Sequence, residues 1–457
     1  MSCELPPGWA EATVGDLVEF NYGKGLPKKR RDSTGKVPVY GSNGVVGTHS
    51  EAIVKGPCIV VGRKGTAGAC HLSQQDCWPI DTTYFVHAPD GLSIRYLHYG
   101  LSQLRLGSLD TSTAIPGLNR NDAYRLPLPL PSLNEQRRIV AKIEALFSEL
   151  DAGVAALERS RALLARYRQS LLQAAFSGEL TADWRAAHQG QVEPASVLLE
   201  RIRAERAKQA ARSKRRRQKA LPPLDTTALP DLPEGWCWAR LGEIGDVRGG
   251  LTKGRDLAGQ DTVMMPYLRV ANVQAGYLDL SEIKYIELKQ SELGRYLLHD
   301  GDILFTEGGD RDKLGRGHVW RGEIDRCVHQ NHVFAVSLFG RQMLPFWVSI
   351  QSQSEQSRAY FWRVASQTVN LASINMTKLR QWPVAIAPIQ EQSAILQRMD
   401  DLMTSYDHLV AELDQSLSAA ARLRQAILKR AFEGRLVPQD PTDEPAAALL
   451  DRIRNAR

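Results

Sequence analysis

Three groups of residues in this 457-residue chain have types and spacings that bear on chemistry. Glu307, Asp310 and Asp312 are the densest carboxylates, and such oxygens suit Mg²⁺. Arg311, Lys313 and Arg316 are interleaved with them, so a salt-bridged or nucleic-acid-facing loop is the expected reading. Cys70-His71 with Cys77 is the only tight Cys/His group, and its spacing matches no common zinc site. The third group is cationic: Tyr22-Gly-Lys-Gly25 and Gly62-Arg-Lys-Gly65 place positive charge on glycine turns. Cations held close to a turning backbone suit phosphate oxygens and guanine edges. There is no Gly-x-x-x-x-Gly-Lys-Ser/Thr loop for nucleotide phosphates and no strand followed by Gly-x-Gly-x-x-Gly. An Asp/Asn-Pro-Pro-Tyr/Phe segment, the kind an amino-methyltransferase wraps around its base, is also missing. The chain is expected to bind rather than catalyse, with no metal or cofactor of its own.

Candidate DNA-contacting residues in the first half are Lys24, Tyr40, Ser42, Asn43, Arg63, Lys64 and Thr66. An Asn43 amide can pair with adenine through two hydrogen bonds. In the second half they are Lys253, Arg255, Arg269, Asn272, Arg311, Lys313 and Arg316. Each also reads as a surface turn or solvated charge. Gln330-Asn331-His332 matches Asp81-Thr82-Thr83 in position, and a turn role is as open there as a base contact. Asn119 and Asn375 are expected to cap or hinge the return to the helices.

These residues need a scaffold, and the chain repeats one. Leu5-Pro-Pro-Gly-Trp9 recurs as Leu232-Pro-Glu-Gly-Trp236, an offset of 232 − 5 = 227. Glu135-Gln136 recurs as Glu391-Gln392, and Ala175-Phe-Ser-Gly-Glu-Leu180 as Ala431-Phe-Glu-Gly-Arg-Leu436, both at an offset of 256. The second globular block is therefore longer by 256 − 227 = 29 residues. Apolar positions Ile139, Ile143, Leu146, Leu150, Val154, Leu157, Leu164 and Leu171 keep a spacing that is largely 3 and 4, and their partners 256 residues on keep the same register. That is a coiled-coil seam, broken by Arg161 and by Arg168 with its equivalent Arg424. Gly178 and Gly434 stand where left-handed caps end each helix. About 44 residues of helix span about 65 Å. The blocks carry short β-rich runs such as Pro57–Val61, Tyr84–Val86, Asp302–Phe305 and His332–Val336. The expected order is a mainly β domain (1–133), a long helix (134–180), a tail helix with a basic linker (181–231), a second β domain (232–388), a second long helix (389–436) and a tail helix (437–457).

The net charge is +7, and its distribution is uneven. Arg201 to Lys219 holds ten Lys/Arg and one acid, a contribution of +9, so the remainder sums to −2. Such a run reads either as a solvated linker or as a strap on nucleic acid phosphates. Six cysteines without a Cys-x-x-Cys pair are expected as reduced thiols in the cytoplasm. No apolar run is long enough for a membrane span, and Met1–Pro7 lacks the pattern of a secretory signal.

The order of β block, helix opening on Glu-Gln, Ala-Phe-x-Gly-x-Leu helix end, and then a repeat of all three closely resembles the specificity subunit of Type I restriction–modification systems. The likeness covers essentially the whole chain. It implies an α+β fold: two target recognition domains joined by two long helices that pair as an antiparallel coiled coil, in a pseudo-two-fold tandem repeat. It also implies that each domain reads one half of a bipartite site in double-stranded DNA. Two adenine methyltransferase subunits dock on the helices and bring S-adenosylmethionine. Two motor-nuclease subunits, where present, bring ATP and Mg²⁺ chemistry. Partner contacts are expected on the helix faces outside the seam and around Glu135, Gln136, Phe176, Glu391, Gln392 and Phe432, unless these only pack the helices on their own blocks. A coiled-coil protein adaptor that never reads DNA, or the specificity subunit of another defence complex, are the rival readings.

Overall fold

The structure is a computed structural model that describes residues 5–109, 117–212, 221–310, 313–340, 342–367 and 372–456. The first block contains β1 (Asn21–Tyr22), β2 (Val37–Gly41), β3 (Gly44–His49), β4 (Cys58–Gly62), β5 (Cys70–Ser73), β6 (Trp78–Pro79) and β7 (Thr83–Val86), then helices α1 (Ile94–Gln103) and α2 (Arg120–Tyr124). The strands form an antiparallel sheet in the order β1-β7-β4-β5 and a smaller one in the order β3-β2-β6. In the smaller sheet β2 and β6 run parallel, with Val39 opposite Trp78. β4 is buried on both faces, which its unbroken Cys-Ile-Val-Val run requires.

A helix α3 (Leu133–Phe176) follows, then α4 (Ala195–Arg212). The second block repeats the two sheets. It uses β8 (Cys237–Arg240), β9 (Gly245–Gly249), β10 (Thr262–Leu268), β11 (Lys284–Lys289), β12 (Ile303–Thr306), β13 (Gly317–Val319), β14 (Val328–His329) and β15 (Val333–Leu338), with α5 (Pro345–Gln351), α6 (Glu355–Val364) and β16 (Pro383–Ile386). The orders are β13-β12-β15-β9 and β11-β10-β14, again with one parallel pair, Tyr267 opposite Val328. The chain closes with α7 (Ile389–Phe432) and α8 (Ala446–Asn455).

Equivalent strands locate the extra residues of the second block. Val39 and Tyr267 both face the parallel strand, an offset of 228, whereas Val60, which faces Phe85, and Leu304, which faces Ala335, differ by 304 − 60 = 244. So 244 − 228 = 16 of the 29 extra residues enter between these strands. The β2–β3 hairpin turns on two residues, Ser42 and Asn43, while residues 269–283 join β10 to β11. One scaffold thus carries two different loop surfaces.

The two long helices have equal length, 44 residues each, and their bounds differ by 256 at both ends. α7 contains neither glycine nor proline and α3 only Gly153. Ser132 Oγ accepts the Glu135 N–H at 3.0 Å and caps the start of α3. Gly178 (φ +76°) and Gly434 (φ +67°) take the left-handed conformation beyond the helix ends.

The segments do not pack in their linear order. One compact unit is Met1–Ser160 with Glu412–Arg457, and the other is Arg161–Ala411. In the first, Ile139, Ile143 and Phe147 of α3 share a core with Ile427, Leu428 and Ala431 of α7. Arg424 lies 4.2 Å over the Phe147 ring and pairs with Asp151. In the second, Leu171, Leu172 and Ala175 of α3 share a core with Ile395 and Met399 of α7. In both units the start of one helix meets the end of the other, which is antiparallel pairing. Between Ser148 and Ser170 no residue of α3 is buried, and seam positions Leu150, Val154, Leu157 and Leu164 are half-buried. The interrupting arginines find partners: Arg168 bonds Gln353, and Arg424 has Phe147 and Asp151. Ala446, Leu449, Leu450 and Ile453 of α8 bury one stripe on the first block, and Ala195, Leu198, Leu199 and Ile202 of α4 bury the same i, i+3, i+4, i+7 stripe on the second. Each buried Leu or Ile contributes about 1.5–3 kcal/mol. Arg201 and Arg203, the first of the basic run, pair with Glu193 and Glu243 inside the second unit. Residues 213–220 of that run lie outside the described residues.

His329 gives the second unit an acid-sensitive core. Its side chain is fully buried; Nδ1 is 2.6 Å from the Val333 carbonyl oxygen and Nε2 has no partner. Burial pushes its pKa down to about 4. The unfolded chain then binds a proton that the folded chain refuses between about pH 6.5 and 4. The stabilisation is therefore complete above pH 6.5 and is lost as pH falls through that window, by about 3 kcal/mol in all. A His329→Gln variant is expected to flatten the acid limb of a stability–pH curve measured by urea denaturation; an unchanged limb would refute the assignment.

Candidate nucleic-acid interface

In the first unit one turn, Pro79–Thr83, gathers the candidates. Lys24 N–H donates to Pro79 O (2.9 Å), and Ile80 N–H donates to Tyr40 O (2.9 Å). Arg63 and Lys64 N–H both donate to Thr82 O (2.8 and 3.2 Å). Ser42 Oγ donates to the same carbonyl (2.6 Å). Gly62 leaves no room for a side chain, since an added Cβ would lie 2.2 Å from Thr66 O, so the Arg63–Thr66 loop folds back tightly. All seven first-half candidates are brought to one edge of the block.

They do not all face solvent. Lys24, Asn43, Lys64 and Thr66 are exposed, and Tyr40 and Arg63 are half-buried. Ser42 is buried with its hydroxyl committed to Thr82, which corrects its expected base contact to a structural one. His71, unnoticed as a contact residue, stands behind it, with Nε2 3.2 Å from Ser42 O. Sequence reading also missed Tyr22 and Arg120. The Arg63 and Arg120 guanidinium carbons lie 5.5 and 5.2 Å from the centroid of the Tyr22 ring. Arg120 follows Asn119, whose side chain accepts the Asn121 N–H (2.9 Å) and caps α2. Asn375 caps the equivalent helix in the second block through the Lys378 N–H (3.0 Å). The signal for Tyr22 was present in Tyr22-Gly-Lys-Gly25; nothing local marked Arg120.

In the second unit the equivalent turn is Gln330–Val333, and it too is a hub. Gln330 N–H donates to Leu268 O (2.9 Å) and Asn331 N–H to Leu251 O (3.0 Å). The candidates around it differ in how their charges are paired. Arg255 pairs with Glu292 (2.8 Å), Arg269 with Glu282 (3.2 Å) and Lys313 with Asp310 (2.9 Å). Arg316 donates to Val270 O and is partly desolvated, which lowers its pKa. Lys253 is exposed. Asn272 is 2% exposed: its Oδ1 accepts the Arg269 N–H (2.9 Å) and its amide donates to Asp279 O and Glu282 O (2.8 and 3.1 Å). This corrects its expected role, since a buried amide with every bond spent on its own loop cannot read a base. Arg311 lies outside the described residues, as does Asp312. Of the other two carboxylates in that cluster, Asp310 turns to Lys313 and Glu307 to His332. Among the described residues no three His, Cys, Asp or Glu side chains converge as a metal site would require.

The six residues expected to meet partner subunits are turned inward. Gln136 accepts the Ser93 N–H (2.7 Å) and donates to Pro131 O (3.0 Å); Gln392 accepts the Leu344 N–H (3.3 Å) and donates to Ala387 O (2.8 Å). Each glutamine therefore ties a long helix to the start of an earlier helix of its own block, α1 or α5. Glu391 is fully buried and accepts from Thr181 Oγ1, Arg185 Nε and Trp236 Nε1 (2.8, 3.0 and 2.8 Å). Glu135 is 4% exposed, and burial raises its pKa. Phe432 packs 4.9 Å from Tyr96, and Phe176 5.2 Å from Trp347. Side chains committed in this way cement a joint, which corrects the expectation of outward contacts at Glu135, Gln136, Glu391 and Gln392, while Phe176 and Phe432 take the packing role that the sequence favours for them. The exposed apolar groups of the helices are elsewhere, at Leu163, Tyr167, Leu409 and Leu423. No helix among the described residues is long and apolar enough to cross a membrane.

Comparison with known proteins follows the same division. The sequence model of a family described as "Type I restriction modification DNA specificity domain" matches residues 6–158 and 233–418. The chain is 25% identical over 380 residues to the Type I restriction enzyme EcoKI specificity subunit of Escherichia coli K12, covering 80% of this chain and 72% of that protein. It is 23% identical over 466 residues to the EcoDI specificity subunit of Escherichia coli, covering 99% and 96%. A solved chain described under "complex assembly and conformational transition of the type I R-M system" has a TM-score of 0.59 at 18% identity, covering 94% of this chain and 99% of that one.

Proposed function

The chain belongs to the Type I restriction modification DNA specificity family, and from that premise we propose that it is the non-catalytic DNA-sequence-recognition subunit of a restriction–modification complex. What carries this reading is that the family's domain matches twice, and each match contains one copy of the same two-sheet block. Each block reads one half of an asymmetric, bipartite site in double-stranded DNA. The asymmetry follows from the unequal hairpins and from the different charge pairing in the loops around the two hub turns. Base-edge hydrogen bonds supply specificity and cations on phosphates supply register. Asn43, exposed at the tip of a two-residue hairpin, is the amide best placed for a base in the first unit.

The 44-residue helices act as a ruler for the unread spacer. Reader modules on one face of DNA recur about 34 Å apart, well within about 65 Å of helix. Adenine methyltransferase subunits dock on the outer helix faces, where Leu163, Tyr167 and Leu409 are 61%, 44% and 47% exposed. They contribute S-adenosylmethionine, and motor-nuclease subunits would contribute ATP- and Mg²⁺-dependent cutting, all in the cytoplasm.

Methylome sequencing of the host with and without this gene tests the proposal. A split adenine-methylated motif is expected to vanish with the gene, and its two halves and spacer would be read off directly. Persistence of every methylated motif, with the partner methyltransferase still expressed, would exclude this chain as the reader and favour the adaptor.

A further inference from the structure

We propose that Arg63 and Arg120, gathered on the single Tyr22 ring, form a fork that grips a DNA backbone phosphate and gives the first unit sequence-independent affinity. The inference rests on the DNA-recognition reading above and deepens it.

The platform is stiff. Tyr22 is 55% exposed, and its ring lies 5.1 Å from Tyr84, which lies 5.7 Å from Phe20, itself 5.5 Å from Tyr124. The Tyr124 hydroxyl accepts the Phe20 N–H at 2.8 Å and locks the column to the core. Each arginine is then tethered to a carbonyl rather than to an acid. Arg63 donates from Nε and Nη2 to Asp81 O (3.2 and 2.6 Å), and Arg120 from Nη1 to Phe20 O (3.4 Å). A guanidinium has five N–H donors, so most remain unused on both side chains.

The charge is unbalanced. Among the described residues neither Arg63 nor Arg120, nor Lys24 or Lys64 around the same hub turn, has a carboxylate within ion-pair distance. The acids nearby are Asp81, whose backbone holds Arg63, and Asp122, which pairs with Arg125 at 3.7 Å. Two cations over one ring repel each other, and a bound anion relieves that repulsion while the ring favours both. Arg63 has already spent its Nε–Nη2 edge on Asp81, so that edge is not available for a bidentate guanine contact. A phosphate, which accepts from any direction and from two cations at once, fits better. The second unit lacks the device. Gly249 stands opposite Phe334 where Tyr22 stands opposite Tyr84, and three of the cations there are paired with acids.

The test is the salt dependence of DNA binding by the full-length chain in the complex with which it purifies. The probes are a duplex carrying its methylated motif and a mixed-sequence duplex lacking it. The Arg63→Gln/Arg120→Gln double variant is expected to reduce the slope of log K against log salt by about 0.9, one phosphate's worth, each single Gln variant by part of that, and all of them to weaken both duplexes by the same factor. Arg120→Lys should keep the slope, and the melting temperatures of all variants report folding. If the Gln variants keep the wild-type slope while Lys64→Gln reduces it, DNA recognition stands and the fork falls. Loss confined to the cognate duplex would make these arginines base readers and overturn the phosphate assignment. Absence of salt-dependent binding by the wild-type complex would remove the underlying reading itself.

Discussion

Replacing Glu391 with alanine is expected to destabilise the second unit by about 3–5 kcal/mol, the cost of breaking a buried ion pair by deleting one partner. The carboxylate is fully buried and holds three donors from two stretches of chain: Thr181 Oγ1 and the Arg185 guanidinium from one, and Trp236 Nε1 from the other. Deletion leaves Arg185, only 24% exposed at its side chain, without its carboxylate and held by the Gly178 carbonyl alone among the described residues, and it leaves the Trp236 N–H without an acceptor. Glu135 occupies the same motif position 256 residues earlier but has a different environment. Neither its Oε1 nor Trp9 Nε1 makes a well-formed hydrogen bond, so the Trp9 N–H favours the charged form only weakly, and burial outweighs it in raising the pKa. Glu135→Gln is therefore expected to cost under about 1 kcal/mol, because little bonding to the charged form is lost and the desolvation of a charge is relieved. Urea unfolding followed by tryptophan fluorescence separates the cases, since seven of the nine tryptophans lie in residues 161–411. Equal shifts for the two variants would sink the account.

Trp347→Ala is expected to cost a similar amount, about 3–5 kcal/mol, for a different reason. The indole is fully buried, 5.2 Å from Phe176 and 5.5 Å from Trp236, so it joins the end of α3 to the Leu232–Trp236 segment. Its Nε1 donates to Ala385 O at 2.8 Å. Gln351 Nε2 donates to the same oxygen at 2.9 Å, so losing the indole N–H does not orphan that carbonyl. Most of the cost is therefore cavity, and Trp347→Phe should recover more than half of it. The same urea titration reads this out; a Phe variant as unstable as the Ala variant would mean that the hydrogen bond, not the volume, dominates.

The joint containing these residues explains why each half of the chain needs the other. The glycine after α3 lies so close to Pro233 that an added Cβ would sit 2.4 Å from its ring, and the glycine after α7 stands in the same relation to Pro6, at 2.2 Å. In each unit the Leu-Pro-x-Gly-Trp segment of one repeat meets the helix end of the other repeat. The Ala-Phe-x-Gly-x-Leu motif is thus a socket for a neighbouring block, and its phenylalanines pack there, Phe432 on Tyr96 and Phe176 on Trp347.

Much of this was legible locally. The helices, their left-handed glycines, the Asn119 and Asn375 caps, the β-runs and the repeat itself all rest on interactions within a few residues, and those leave periodic or motif-like traces in sequence. The loop cations were legible as a set because glycine turns mark where backbone and charge come together. Tertiary structure alone decided which helix end packs on which block, because apolar stripes 256 residues apart are interchangeable as patterns. It alone separated Glu391 from Glu135, identical in motif but surrounded by groups more than 150 residues away in sequence. It also turned Asn272 and Ser42 inward and brought Arg120 to Tyr22 across about a hundred residues of chain. The physical reason is one of range. A sequence records the propensity and polarity of each side chain, whereas its burial and its charge partner are set by whatever the fold carries to it from far along the chain.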